Sequence, residues 1–161
     1  MCGRFTLYAK GEILAGEFGV SGVPPEPPRY NIAPSRPVMA VRADAAGGRE
    51  AALLRWGLVP SWSRDPAVGS RLINARSETV RGKQPYYVRM RDGRVFAFAG
   101  LWERWEAPEG GAVETCTILT TGANAVLAPI HDRMPVILAR PEYGKWLDPA
   151  PKDTDSLVPL A

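Results

Sequence analysis

The 161 residues include one histidine, His131, and two cysteines, Cys2 and Cys116. A single histidine excludes zinc sites built on two or three imidazoles, and two cysteines cannot form the disulfide framework of a small secreted domain. A reducing compartment would keep both as thiols. Long apolar runs are also missing: a membrane span needs roughly 18–20 apolar residues in a row, and no stretch approaches that. The opening Met1-Cys2-Gly3-Arg4-Phe5-Thr6 lacks the apolar centre of a secretory signal. The expectation is a cytoplasmic protein with no membrane association, no metal and no cofactor.

Glycine and proline are abundant, at 16 residues each. Together they fall short of the ~25–30% that marks low complexity, yet they predict many turns and short elements rather than a helix bundle. With 45% hydrophobic and 23% charged residues, the composition is that of a globular chain. The length suits one domain with one core. That domain is expected over 1–148, as a monomer, with a loose tail at 149–161.

The net charge of +3 is unevenly spread. Residues 71–94 carry seven bases against two acids, whereas residues 103–161 carry five bases against nine acids. Sixteen of the twenty bases are arginine, the side chain suited to bidentate phosphate contact and to stacking on bases. A basic stretch beside an acidic tail points to an anionic partner such as nucleic acid. A solvated strand face, or a genome that favours arginine codons, would give the same pattern.

Ile13, Leu14 and Phe18 fall at helical spacing and predict an amphipathic helix within 7–20. The prolines of 23–28 predict a stiff extended loop. Strands are expected at 37–42 and 51–58, joined by a turn at 45–48. A hairpin of 84–90 and 94–99 is expected around Asp92-Gly93. Further strands are expected at 115–120 and 136–139, with helices near 123–127 and 142–147. Many strands with few helices argue for an α+β fold on a curved, mostly antiparallel sheet or barrel.

Cys2 is the residue with the most distinctive chemistry. Removal of Met1 would leave a cysteine bearing both a free α-amine and a thiol, and such a 1,2-aminothiol can react twice with one aldehyde. The amine forms an imine, and the sulfur then closes a five-membered thiazolidine. An internal cysteine cannot do this, because its nitrogen is in an amide. His131 is the second candidate, since imidazole changes protonation in the physiological range. Structural readings stand beside both: Cys2 as an incidental small side chain, His131 as a hydrogen-bonded core residue. Asn74 opens a polar run, 74–79, that also reads as a plain strand exit. Trp56 and Trp62 are either core residues or stacking surfaces for unpaired bases. Asn31-Ile32-Ala33-Pro34 reads as a turn with an apolar tip, structural or a wedge between bases.

Five motifs occur together: Met1-Cys2-Gly3-Arg4-Phe5, Tyr30 to Pro34, Trp56 to Trp62, Asn74 to Thr79, and His131-Asp132-Arg133-Met134-Pro135. In this order they resemble the SOS-response-associated peptidase (SRAP) family over nearly the whole chain. The resemblance implies an enzyme that senses abasic sites and crosslinks to them in single-stranded DNA, in the nucleoid. It implies Cys2 as nucleophile, Asn74 as the group that orients the amine and the sugar, and His131 as proton shuttle. It further implies Arg4, Arg76 and Arg133 on phosphates and Thr120 hydrogen-bonding near the lesion. Asn31, Pro34, Trp56 and Trp62 would line the path of the strand.

One departure from the family stands out. Family members continue after the Asn-Ala-Arg-Ser-Glu-Thr motif to a Gly-aromatic-aromatic-Glu-Trp motif whose glutamate belongs to the active site. Here residues 79–82 run almost directly into Lys83-Gln84-Pro85-Tyr86-Tyr87, which implies an internal deletion after residue 80. A natural short form, an engineered deletion and a gap in the gene prediction all fit it. Gly100-Leu101-Trp102-Glu103 looks similar but corresponds to a later strand, so the glutamate's role is not carried to Glu103. The competing readings are a DNA-binding module without the chemistry, a peptidase that removes its own Met1, and an α+β domain with no DNA role.

Overall fold

The computed structural model describes residues 3–74 and 88–148. Its largest unit is a four-stranded sheet. β3 (Pro37–Ala43) and β4 (Arg49–Trp56) pair antiparallel from Pro37↔Arg55 to Ala43↔Arg49. Their turn is set by Asp44, whose carboxylate accepts from the amides of Ala46 and Gly48, both at 2.8 Å. Gly47 takes the positive φ of 81° that this turn requires.

The other half of the sheet is the antiparallel pair of β6 (Gly100–Glu106) and β7 (Ala112–Ile118). β4 meets β7 in parallel at Arg55↔Thr115 and Trp56↔Cys116, giving the order β3-β4-β7-β6. The sheet curls strongly. β3 and β6 are its two outer strands, which on a flat sheet lie three spacings, or about 14 Å, apart. Yet the guanidinium of Arg42 on β3 stacks 4.3 Å over the ring of Trp102 on β6. It also bonds Glu50 at 2.6 Å and Glu114 at 2.8 Å, so one side chain ties four strands across the concave face.

Three two-stranded pieces complete the fold. β1 (Phe5–Leu7) pairs with β2 (Arg29–Ile32), β5 (Ala97–Phe98) with β10 (Ile137–Leu138), and β8 (Thr120–Gly122) with β9 (Arg133–Pro135). One core cluster joins Ile32, Val38, Trp56 and Ile118, with Phe5, Leu7 and Phe98 packed against it. A second joins Ala99, Val136, Leu138 and Tyr143. Helix α1 (Gly11–Phe18) ends at Gly19, whose φ of 64° allows its amide to reach the carbonyl of Ala15 at 2.9 Å. A short helix α2 (Tyr143–Leu147) follows a 3₁₀ turn, Arg140–Glu142. The class is α+β, with curved sheets and no closed barrel among the described residues. No helix among them is long and apolar enough to cross a membrane.

Several local expectations change. The helix expected from residue 7 starts at Gly11, because Phe5 and Leu7 are taken as a strand that turns both side chains into the core. The helix expected at 123–127 is a run of turns: Asn124 Oδ1 accepts from the amides of Val126 and Leu127, and Pro129 stops propagation. Gly93 forms the expected turn, with its amide on the carbonyl of Met90 at 3.0 Å. Ala97–Phe98 nevertheless pairs with residues 137–138. Residues 84–87 of the expected hairpin, and the tail at 149–161, lie outside the described residues.

Candidate functional site

The curl of the sheet encloses an open trough of about 1720 Å³. Val38, Ala40, Leu54 and Cys116 form part of its floor, and Gly3, Arg4, His131 and Arg133 line it from other elements. Two ends of the chain that are remote in sequence therefore meet at one depression. Cys2 and Arg76 lie outside the described residues; Gly3, bonded to Cys2, lines the trough.

Each described candidate is held by a local device. Arg4 precedes β1, and its Nη1 donates to Asn31 Oδ1 on β2 at 2.6 Å. Arg133 on β9 donates from Nε and Nη2 to Thr120 Oγ1 at 3.1 and 2.9 Å, and from Nη2 to the Thr120 carbonyl at 2.6 Å. This fixes the plane of the guanidinium against β8. His131 Nδ1 accepts the amide hydrogen of Arg133 at 3.0 Å and lies 2.7 Å from Asp132 Oδ1.

Asn74 is 5% exposed and forms an isolated parallel bridge to Ile118, at the end of β7. Its placement depends on Ile73, whose carbonyl accepts from Trp56 Nε1 at 2.9 Å and from the Ile118 amide at 3.4 Å. Pro34 is half-buried in a turn pinned by the Ser35 amide to the carbonyl of Trp56 at 2.7 Å. The two tryptophans part company. Trp62 is 80% exposed, whereas Trp56 is fully buried in the core. Trp56 thus has no ring face for DNA and acts as the post behind Pro34 and Asn74.

The loop between these tryptophans is set by close backbone packing. A Cβ on Gly57 would run into the carbonyl of Gly69, and Gly57 holds a φ of 131°. Glu103 sits opposite Thr115, with alternation placing it on the face away from Trp102 and the trough. Cys116 is in the trough but is not poised as a nucleophile. Burial pushes its thiol up to about 12, so it stays protonated near neutrality. Among the described residues, no cluster of three His, Cys, Asp or Glu side chains could hold a metal ion. The Ile73 carbonyl, which links Trp56 to the neighbouring Asn74, escapes sequence reasoning because a backbone acceptor leaves no residue-type signal.

The profile of the SOS response associated peptidase (SRAP) family matches residues 1–84 and 80–161. The chain belongs to this family. It is 36% identical over 193 residues to the abasic site processing protein YoqW of Bacillus subtilis, covering 99% of this chain and 86% of that protein. The abasic site processing protein HMCES of Gallus gallus is 30% identical over 193 residues, covering 83% of this chain and 57% of that one. Among solved structures, a Bacteroides thetaiotaomicron protein matches the SRAP fold seen here with a TM-score of 0.82 at 22% identity, over 99% of this chain and 86% of its own. A Bordetella bronchiseptica protein matches with a TM-score of 0.72 at 25% identity, over 93% and 89%.

Proposed function

We propose that this SRAP chain processes abasic sites in single-stranded DNA by linking itself to them through Cys2. The observation that carries this reading is the meeting of Gly3, Arg4, His131 and Arg133 at one trough, in a chain whose relatives are named for abasic-site processing. With Met1 removed, the Cys2 amine attacks the aldehyde of the ring-opened sugar, and loss of one water gives an imine. The Cys2 sulfur adds to the imine carbon while a proton passes to the nitrogen, closing the thiazolidine. No oxidant or reductant is consumed.

In this reading Asn74 orients the amine and sugar, and His131 moves protons as the sugar ring opens and water leaves. Arg4, Arg76 and Arg133 hold phosphates, with Thr120 fixing Arg133 at the lesion. Asn31, Pro34 and Trp62 line the strand where its bases unstack. The chain acts as a monomer in the nucleoid. An internal deletion fits two observations: the family profile matches in two stretches that meet at residues 80–84, and the alignment to YoqW spans 193 positions against 161 residues. A second reading, DNA binding without the chemistry, is favoured by Glu103 facing away from the trough. Cleavage of its own Met1, by the Cys2 thiol before the amine is freed, is a third reading.

Incubation with an abasic oligonucleotide followed by denaturing electrophoresis tests the proposal. A shifted band is expected for a chain beginning at Cys2, and its loss in Cys2→Ala with retained salt-sensitive binding. Crosslinking by Cys2→Ala, or by molecules that all retain Met1, would overturn it. Salt-sensitive binding of the parent chain without a band would favour the second reading.

A further inference from the structure

Tyr8 and Tyr30 stack at the surface and take no part in the chemistry above. Their ring centroids are 5.8 Å apart and their planes 15° from parallel. Between Phe5↔Ile32 and Leu7↔Arg29, β2 advances three residues while β1 advances two, a bulge of one residue. A bulge breaks the alternation of a strand and re-aims a side chain. Ile32 stays in the core, while Asn31 and Tyr30 are both exposed. Tyr30 is 70% exposed even with Tyr8 against it, so its opposite face is open to solvent.

The surroundings say what would use that face. Asn31, beside Tyr30, accepts from Arg4. Arg4, Tyr8 and Lys10 all line the trough. Arg4 and Tyr8 flank β1, roughly 13 Å apart along an extended chain. Cations that track a backbone, set beside an aromatic ring, are the two parts of a single-strand binding site.

We infer that Tyr30, backed by Tyr8, is a stacking platform for a base that flanks the lesion, outside the crosslinking site. This rests on the reading that single-stranded DNA is the substrate. Tyr8 fixes the ring in advance and so lowers the ordering cost when a base arrives. The platform tolerates any base, because every base has a π-face.

The test measures binding and single-turnover crosslinking of the full chain with abasic oligonucleotides. One has five flanking nucleotides on each side, and two others are trimmed to one nucleotide on either side. Tyr30→Ala should weaken binding of the long oligonucleotide about ten-fold, within the range for base–aromatic stacking. It should leave unchanged the binding of the oligonucleotide trimmed on the side that reaches the pair. Tyr30→Phe should behave as the parent, and Tyr8→Leu should give a smaller loss of the same length dependence. The salt slope should stay the same in Tyr30→Ala and become shallower in Arg4→Ala, since stacking releases no counterions. Unchanged affinity in Tyr30→Ala and Tyr8→Leu, or equal losses at all lengths, would overturn the platform alone. A parent chain that neither binds nor crosslinks any oligonucleotide would overturn the DNA reading and the platform with it.

Discussion

Trp56 Nε1 donates to the carbonyl of Ile73 at 2.9 Å, and the next residue is Asn74. The largest fully buried side chain is therefore tied to the backbone that presents a catalytic candidate. Trp56→Phe keeps an aromatic ring but removes that donor. An unmade buried hydrogen bond costs about 1–3 kcal/mol, and the smaller ring leaves extra space in the core. Urea unfolding should register the loss of stability. Crosslinking should slow while the salt slope of DNA binding stays the same, because no phosphate contact is touched. An unchanged crosslinking rate in a destabilised variant would show that Asn74 does not need this tether.

The antiparallel pair β3–β4 was legible because its signals are local: apolar-rich runs on both sides of an Asp-Ala-Ala-Gly-Gly turn. Arg4, Asn31, His131 and Arg133 were singled out through motifs and Thr120 through the family resemblance; the structure joins four of them by hydrogen bonds, Arg4 to Asn31 and Arg133 to Thr120. The parallel meeting of β4 with β7 was not legible, since it joins residues sixty apart and no local pattern announces it. The same holds for β5, whose partner lies forty residues downstream rather than across the Gly93 turn. Trp56 and Trp62 look alike in sequence. Only long-range packing sends one to the core and leaves the other in solvent.

Nδ1 of His131 has two contacts that belong to different placements of the ring hydrogen. A bare Nδ1 accepts from the Arg133 amide, and an Nδ1 that carries a hydrogen donates to Asp132. In the proposed function, Nε2 is the atom left to exchange protons with the sugar in either arrangement. His131→Ala should therefore slow crosslinking by about 10²–10⁴-fold. The side chain of Asp132 is 69% exposed, and such surface charges contribute little. Asp132→Asn should slow the reaction only several-fold. Single-turnover rates separate the two, and an Asp132→Asn defect as deep as that of His131→Ala would show that the carboxylate is part of the proton path.

Alkaline stability should depend on Cys116. Burial raises its pKa from 9.0 to about 12 in the folded chain. Below pH 9 the thiol is protonated in both folded and unfolded chains. Between 9.0 and about 12 the unfolded chain releases a proton that the folded chain retains, so stability falls as pH rises. The slope is about 1.4 kcal/mol per pH unit. Tyr143, raised by burial and by the charge of Glu17, adds a loss of the same sign at higher pH. Melting temperatures of the parent should drop as the pH rises from about 9 towards 12, and those of Cys116→Ala should drop less. Identical slopes would place the alkaline transition elsewhere.

The proposed deletion gives the sharpest test of how this chain does its chemistry. A general acid–base group contributes about 10²–10⁴-fold, so a chain without the family glutamate should crosslink slowly rather than not at all. The aminothiol still condenses with an aldehyde unaided, and His131 still lines the trough. Substitution from within is unfavourable: Glu103 faces away from the trough, and Glu106 stands at the end of β6 beside Arg104, also off the trough lining. Inserting the corresponding segment of a full-length SRAP relative after residue 80 should therefore accelerate crosslinking by one hundred-fold or more, on the order set by acid–base catalysis. It should also raise the melting temperature, because an added strand would pair an open sheet edge and cover apolar surface. The informative variant is the restored chain with its inserted glutamate changed to glutamine. A restored chain that gains stability but loses the rate gain on that change would assign the acceleration to the carboxylate. Equal, fast rates in the short and restored chains would show that His131 and the Cys2 aminothiol suffice.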